Sequence, residues 1–179
     1  YHLTPLLLIG LLLSALFFFM DSLFRKVCGA KKREVFLLFL MAAFLMTQLV
    51  PAQVSAFYWW NGAIHYTGAI AFLLYMVSFV IRAAVGISKK KVYITAACVA
   101  AVMVGGGNLV TALIGSVLVI YALIAVGISK RRELLKYILT PGMALASAFI
   151  INIAAPGNWI RQGNSGEIIE YGIIGSIIK

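Results

Sequence analysis

The feature that most constrains this chain is a series of apolar runs, each close to the thickness of a bilayer. A helix needs about 20 residues, within a range of roughly 17–25, to cross the hydrocarbon layer. Against that ruler the runs predict six spans: Leu3–Met20, Val35–Val50, Thr67–Ile87, Val92–Val104, Leu109–Ile128 and Tyr137–Ala155. Val92–Val104 is too short, reaching only about 20 Å at 1.5 Å per residue. Its flanks must extend it, or it ends early inside the protein. With 63% hydrophobic and 11% charged residues among 179, a soluble domain of this size has no core large enough to hide the apolar surface. The expected fold is all-α, a polytopic transmembrane bundle of about six helices over residues 1–161. Residues 162–179, with Ile pairs and Gly172 and Gly175, read as an interfacial tail or the start of a truncated following segment. The opening on Tyr1 and the ending GIIGSIIK both read as those of a fragment whose amino-terminal part is missing.

The net charge of +10 is a topology signal, not a mark of nucleic-acid binding. Arg25, Lys26, Lys31, Lys32 and Arg33 follow the first span. Arg82, Lys89, Lys90 and Lys91 end the third, and Lys130, Arg131, Arg132 and Lys136 follow the fifth. These loops alternate, so they share one face, and they hold all of the 15 Lys and Arg residues except Arg161 and Lys179. The positive-inside rule makes that face cytoplasmic. Cys28 and Cys98 belong to different depths and form no disulfide framework. His2 and His65 have no Cys or carboxylate at ligand spacing, so neither a metal nor a cofactor is expected.

AVGISKK (Ala84–Lys90) recurs as AVGISKR (Ala125–Arg131). Thr67 and Asn108, both plausible helix caps, stand equally far ahead of the two copies. Duplicated hairpins are one reading. The favoured one is a shared stop signal at the cytoplasmic helix end, because the remaining residues do not align.

The residues with distinctive chemistry fall on the opposite, outward face, in PAQVSAFYWWNGAIHY, GGGN and PGNWIRQGNSG. In GGGNLVT, Gly105, Gly106 and Gly107 allow a tight turn with exposed N–H groups, and Asn108 is a good N-cap. Together they read either as an anion cradle suited to phosphate or as a plain turn between packed helices. In NIAAPGNWIRQ, Pro156 and Gly157 end the sixth helix, with Asn152 about one turn inside. Arg161 suits bidentate phosphate contact, or snorkels to lipid headgroups. Asn158 lies between them, and Trp159 is an interfacial anchor. In the first loop Trp59 fits an aromatic belt, whereas Asn61, His65 and Tyr66 do not. Asn61 and His65 are four apart and would share a helical face. A planar ring such as Trp60 beside hydrogen-bonding side chains is a common way to hold a sugar. His65 is a candidate for a substrate hydrogen bond, with a structural role or a general-base role as alternatives.

Three separated motifs also carry a family resemblance: W-x-N-G-A-x-H-Y-T at Trp59–Thr67, G-G-G-N with T-A-L at Gly105–Asn108 and Thr111–Leu113, and N-I-x-A-P-G-N-x-x-R at Asn152–Arg161. Together they resemble a bacterial family of polytopic membrane proteins of unknown function whose layout is similar to GT-C type glycosyltransferases. The resemblance implies an enzyme of the cell envelope in the bacterial cytoplasmic (inner) membrane. It would take a sugar from a polyprenyl-phosphate carrier on the outer side and pass it to a glycan acceptor. Substrate-binding residues would be Trp60, Asn61, His65, Tyr66, Gly105, Gly106, Gly107, Asn108, Asn152, Asn158 and Arg161. In GT-C enzymes an acidic residue of the first outer loop typically serves as catalytic base or metal ligand, and this chain departs from that. Its single Asp, Asp21, lies on the basic side, and Glu167 and Glu170 lie in the tail. No catalytic residue is assigned.

Two other classes fit the same outline. A transporter or flippase of lipid-linked saccharides would suit broken helices, but such proteins place polar groups near the midplane. Here the main polar residues of the span centres are Ser14, Thr47, Gln48, Ser78, Thr95 and Ser116, and none is charged. A non-catalytic membrane scaffold would tolerate substitution of Asn61, His65, Asn108 and Arg161.

Overall fold

The fold follows from where these apolar runs meet residues that start or stop a helix. The computed structural model describes residues 3–51, 54–86 and 88–155, with the backbone alone at Thr4, Ser55, Trp60 and Asn61. It is all-α, with no strand among the described residues. Helix α1 (Thr4–Met20) starts on Pro5, whose missing N–H is harmless in a first turn, and winds on as a π-helix over Asp21–Val27. Helix α2 (Lys32–Gln48) opens where the Glu34 carboxylate accepts the Lys31 backbone N–H at 2.9 Å. After a π turn at Val54–Tyr58 come the single turn α3 (Trp60–Ala63) and a π segment (Ile64–Gly68). These run without a break into α4 (Ala69–Val85). Asn108 alone separates α5 (Lys90–Gly107) from α6 (Leu109–Ile128), and α7 (Leu135–Ala154) follows a 3-10 turn at Arg132–Leu134.

Five stretches are long and apolar enough to cross a membrane: Pro5–Val27, Ile64–Val85, Lys90–Gly107, Leu109–Ile128 and Arg132–Ala154. The chain is a multi-helix integral membrane protein. Helix α2, expected to be a sixth span, has 17 residues, about 25 Å at 1.5 Å per residue. It ends just before Pro51, as helices commonly do, and falls short of the other five. The short fourth run is lengthened by both flanks, because Lys90 and Lys91 precede it and Gly105–Gly107 remain helical.

Two expected caps part ways. Asn108 caps α6, its Oδ1 accepting the N–H of Val110 at 2.8 Å and of Thr111 at 3.3 Å. Thr67 caps nothing, since the chain is already helical from Trp60. Its hydroxyl instead donates to the Ala56 carbonyl at 2.6 Å and ties the two π segments together. The AVGISK copies also differ in backbone. Helix α4 stops inside the first copy, at Val85, whereas α6 runs through the second to Ile128. What they share is a lysine in left-handed conformation, Lys89 at φ 60° and Lys130 at φ 56°, where the chain leaves the helix direction. That favours the stop-signal reading.

Helix α4 lies at the centre. On one side Leu73 and Met76 pack with Ala100, Ala101 and Val104 of α5 and Leu145 of α7. On the other, Ala71 meets Leu12 and Ala15 of α1 and Phe57. Small residues let these helices approach closely, as suits packing in lipid. Gly105 is the extreme case: a Cβ there would stand 2.6 Å from the Leu145 carbonyl oxygen on α7. The outer surfaces are apolar, with Val117, Ile120 and Ile124 of α6 and Met41 and Phe44 of α2 all more than half exposed. Such a surface is stable only against lipid or further protein.

Candidate functional site

The two ends of the bundle differ in chemistry. At one end Arg82 of α4 meets Asp21 and Ser22, and Lys90 and Lys136 lie 5.5 and 5.2 Å over the Tyr137 ring. At the other end the π segment before α4, the end of α5, the start of α6 and the end of α7 enclose a cleft of about 650 Å³. Its walls carry Trp59, Gly62, His65 and Tyr66, then Gly106, Gly107, Asn108, Leu109 and Val110, then Asn152. Residues from all three sequence motifs therefore meet in one place.

Helix-end chemistry explains how. The last four carbonyls of an α-helix have no partner within it, and in α5 these belong to Val104 through Gly107. The Asn152 side-chain amide donates to the Gly105 carbonyl at 3.0 Å, bringing α7 to that end. His65 Nδ1 lies 3.1 Å from the Gly107 carbonyl, bringing in the π segment. A carbonyl only accepts, so Nδ1 carries the proton of that bond, and in the neutral ring Nε2 is left with a lone pair. His65 and Tyr66 are both exposed to the cleft, Tyr66 by 56%. No charged side chain lines the cleft among the described residues. It is a neutral hydrogen-bonding site with Trp59, 58% exposed, at its wall.

The amide cradle expected of Gly105–Asn108 does not form. The glycines are in the last turns of α5, where their N–H groups point back along the helix. Of the first amides of α6, those of Val110 and Thr111 are taken by the Asn108 cap. What the Gly105–Gly107 turn presents to its surroundings is carbonyl oxygen, not N–H. Gly105 itself is buried against α7, outside the cleft wall, so its role is packing. The first loop is corrected too: Trp60–Tyr66 is helical and not a loop. The side chains of Trp60 and Asn61, and all of Asn158 and Arg161, lie outside the described residues.

Sequence reasoning missed the hollow beside this cleft. Ile64, Ala69 and Phe72 on one wall and Val102 and Met103 on the other enclose about 370 Å³. His65, Gly106 and Gly107 line both spaces, so the apolar pocket lies directly beside the polar cleft. The only signal in the sequence was the apolar spacing of Ile64, Ala69 and Phe72 around His65, and it reads equally well as packing.

At the basic end, sequence reasoning took Arg82 as a topology signal. It is instead an element of structure. Its Nε donates to Ser22 Oγ at 2.8 Å, an Nη pairs with Asp21 Oδ2, and the guanidinium stacks 3.7 Å over the Phe18 ring. Arg25 holds the same carboxylate through Nε and through an Nη at 3.0 Å. The one acid in this cluster thus braces two cations. Among the described residues no group of His, Cys, Asp and Glu is placed to hold a metal ion.

Comparison with protein families, curated proteins and solved structures finds no match to this chain.

Proposed function

We propose that the protein binds the head of a lipid-linked sugar, of the polyprenyl-phosphate class, at the outward end of its helix bundle, as part of a GT-C-like glycosyltransferase of the bacterial cytoplasmic membrane. The basic loops would then face the cytoplasm. The observation that carries this reading is the adjacency of the polar cleft and the apolar pocket, which share His65, Gly106 and Gly107 as walls. An amphiphile needs such a pair of spaces side by side. Neutral donors and acceptors beside an exposed indole suit sugar hydroxyls better than an ion.

His65 then accepts a substrate hydroxyl at Nε2, positioned by its Nδ1 bond to Gly107. Tyr66 adds a hydrogen bond, Asn108 caps α6 at the cleft wall, and Asn152 holds that wall. Arg161 is the candidate for the carrier phosphate, because the Gly105–Gly107 amides lie within α5.

The test is to purify the protein in nanodiscs and identify co-purifying lipids by mass spectrometry, comparing wild type with Tyr66→Ala and Arg161→Ala. A polyprenyl-phosphate species held by the wild type and lost in both variants is the expected result. Bulk phospholipid alone in all three would overturn the reading and leave a scaffold. A sugar-transfer assay on the loaded protein then separates enzyme from flippase.

A further inference from the structure

The basic end holds a second cleft, of about 580 Å³, between the end of α1, the first turn of α2 and the end of α4. Arg25, Lys32, Arg33 and Arg82 line it, with Asp21 as the only acid, so the charge of the walls is strongly positive. Phe17, Phe18 and Phe36 form its apolar side. We propose that this cleft is a binding site for an anionic phospholipid, with the phosphate among the four cations and the upper chains against the phenylalanines.

Several independent features support this reading. Asp21 pairs with Arg25 and Arg82 together, so it fixes both guanidinium groups while neutralising only one charge. Arg82 is drawn inward by Ser22 and Phe18 instead of extending to solvent, which makes it a built wall and not a flexible surface cation. Lys32 and Arg33 sit on the first turn of α2, where Glu34 caps the helix start through the Lys31 N–H and is not among the residues lining the cleft. A phosphate brought here meets the Lys32 ammonium and the guanidinium fork of Arg33, while Arg25 and Arg82 add charge from their Asp21-bound positions. The phenylalanine side decides between a lipid and a free anion, because a soluble phosphate gains nothing from an apolar wall. Juxtamembrane cations between helices recognise anionic headgroups by this combination of charge and apolar surface. The site lies at the opposite end from the lipid-linked sugar cleft and does not depend on it.

Native mass spectrometry of the full chain, titrated with phosphatidylglycerol in a phosphatidylcholine background, tests the proposal. Lys32 and Arg33 are exposed and make no side-chain hydrogen bond among the described residues, so the Lys32→Gln/Arg33→Gln variant should keep the fold. Circular dichroism checks this. Phosphatidylglycerol affinity should fall about ten- to thirtyfold in that variant. The Arg131→Gln/Arg132→Gln variant, with the same charge loss in the α6–α7 loop, should bind as wild type does. Equal weakening in both variants would mean diffuse surface attraction and would overturn the site, as would no weakening in either. Displacement of the lipid by inorganic phosphate would reassign the cleft to a small anion.

Discussion

Asn152, near the end of α7, donates its side-chain amide to the carbonyl of Gly105 in the last turn of α5, at 3.0 Å. Directly beside it, Gly105 lets the two backbones approach until a Cβ would stand 2.6 Å from the Leu145 oxygen. Hydrogen bond and close approach lie side by side, and together they hold α7 against α5 where Asn152 lines the cleft. Gly105→Ala is expected to lower stability by about 1–3 kcal/mol through overpacking. Asn152→Leu is expected to lower it by about 1–2 kcal/mol, because the carbonyl loses a partner. Gly10→Ala is the control, since a Cβ there meets nothing within 4 Å and should leave stability unchanged or raised. Thermal unfolding in detergent measures all three.

Asn108 separates a capping role from a binding role. Asn108→Ala should reduce stability by about 1 kcal/mol, while Asn108→Ser should restore most of it. Since Oδ1 is already accepting the Val110 and Thr111 N–H groups, lipid retention should follow stability in both variants. Retention lost in Asn108→Ser at full stability would instead assign the side chain to the ligand.

The Asp21 cluster is a stability element first. Asp21→Asn leaves Arg25 and Arg82 facing each other without a counter-charge. With Arg25 about one-third exposed, the cost is about 1–3 kcal/mol, below that of a fully buried pair. Adding Arg82→Met should recover part of the loss. A double-mutant cycle with a coupling near zero would show the Asp21–Arg82 pair to be incidental.

His65→Asn tests the cleft without removing the bond to Gly107, because the asparagine amide nitrogen stands where Nδ1 does and can still donate to that carbonyl. Stability should hold, while retention of a lipid-linked sugar should fall about tenfold through loss of the Nε2 acceptor. Mass spectrometry of the purified variant checks this against an unfolding curve from the same preparation.

Local features were legible in the sequence, and those that depend on what packs nearby were not. The apolar runs gave the all-α fold and most helix positions, because length and hydropathy act within each segment. The Asn108 cap was legible for the same reason, since it acts within three residues. Thr67 carries an equally good cap signal, yet the π windings before α4 extend the helix past it. Gly105 looked like a turn residue because nothing in GGGN reveals that α7 will lie against it. The tie between Arg82 and Asp21 spans 61 positions and could not be read from local charge patterning. The convergence of His65, Asn108 and Asn152 was legible only as three motifs falling on one face. Its cause, carbonyls at a helix end that need partners, emerges from the packed structure.

The π segment at Ile64–Gly68 has a consequence for how the chain tolerates changes of length. A π turn holds more residues than an α turn, so this segment stores surplus chain between Trp59 and α4. Removing one residue there would let the backbone relax into a plain α-helix and rotate the preceding side chains by about 100°. His65 would turn away from Gly107 while the Ile64–Val85 stretch stayed long enough to span. The smallest edit that disassembles the cleft is therefore a single deletion, one that hydropathy would not register.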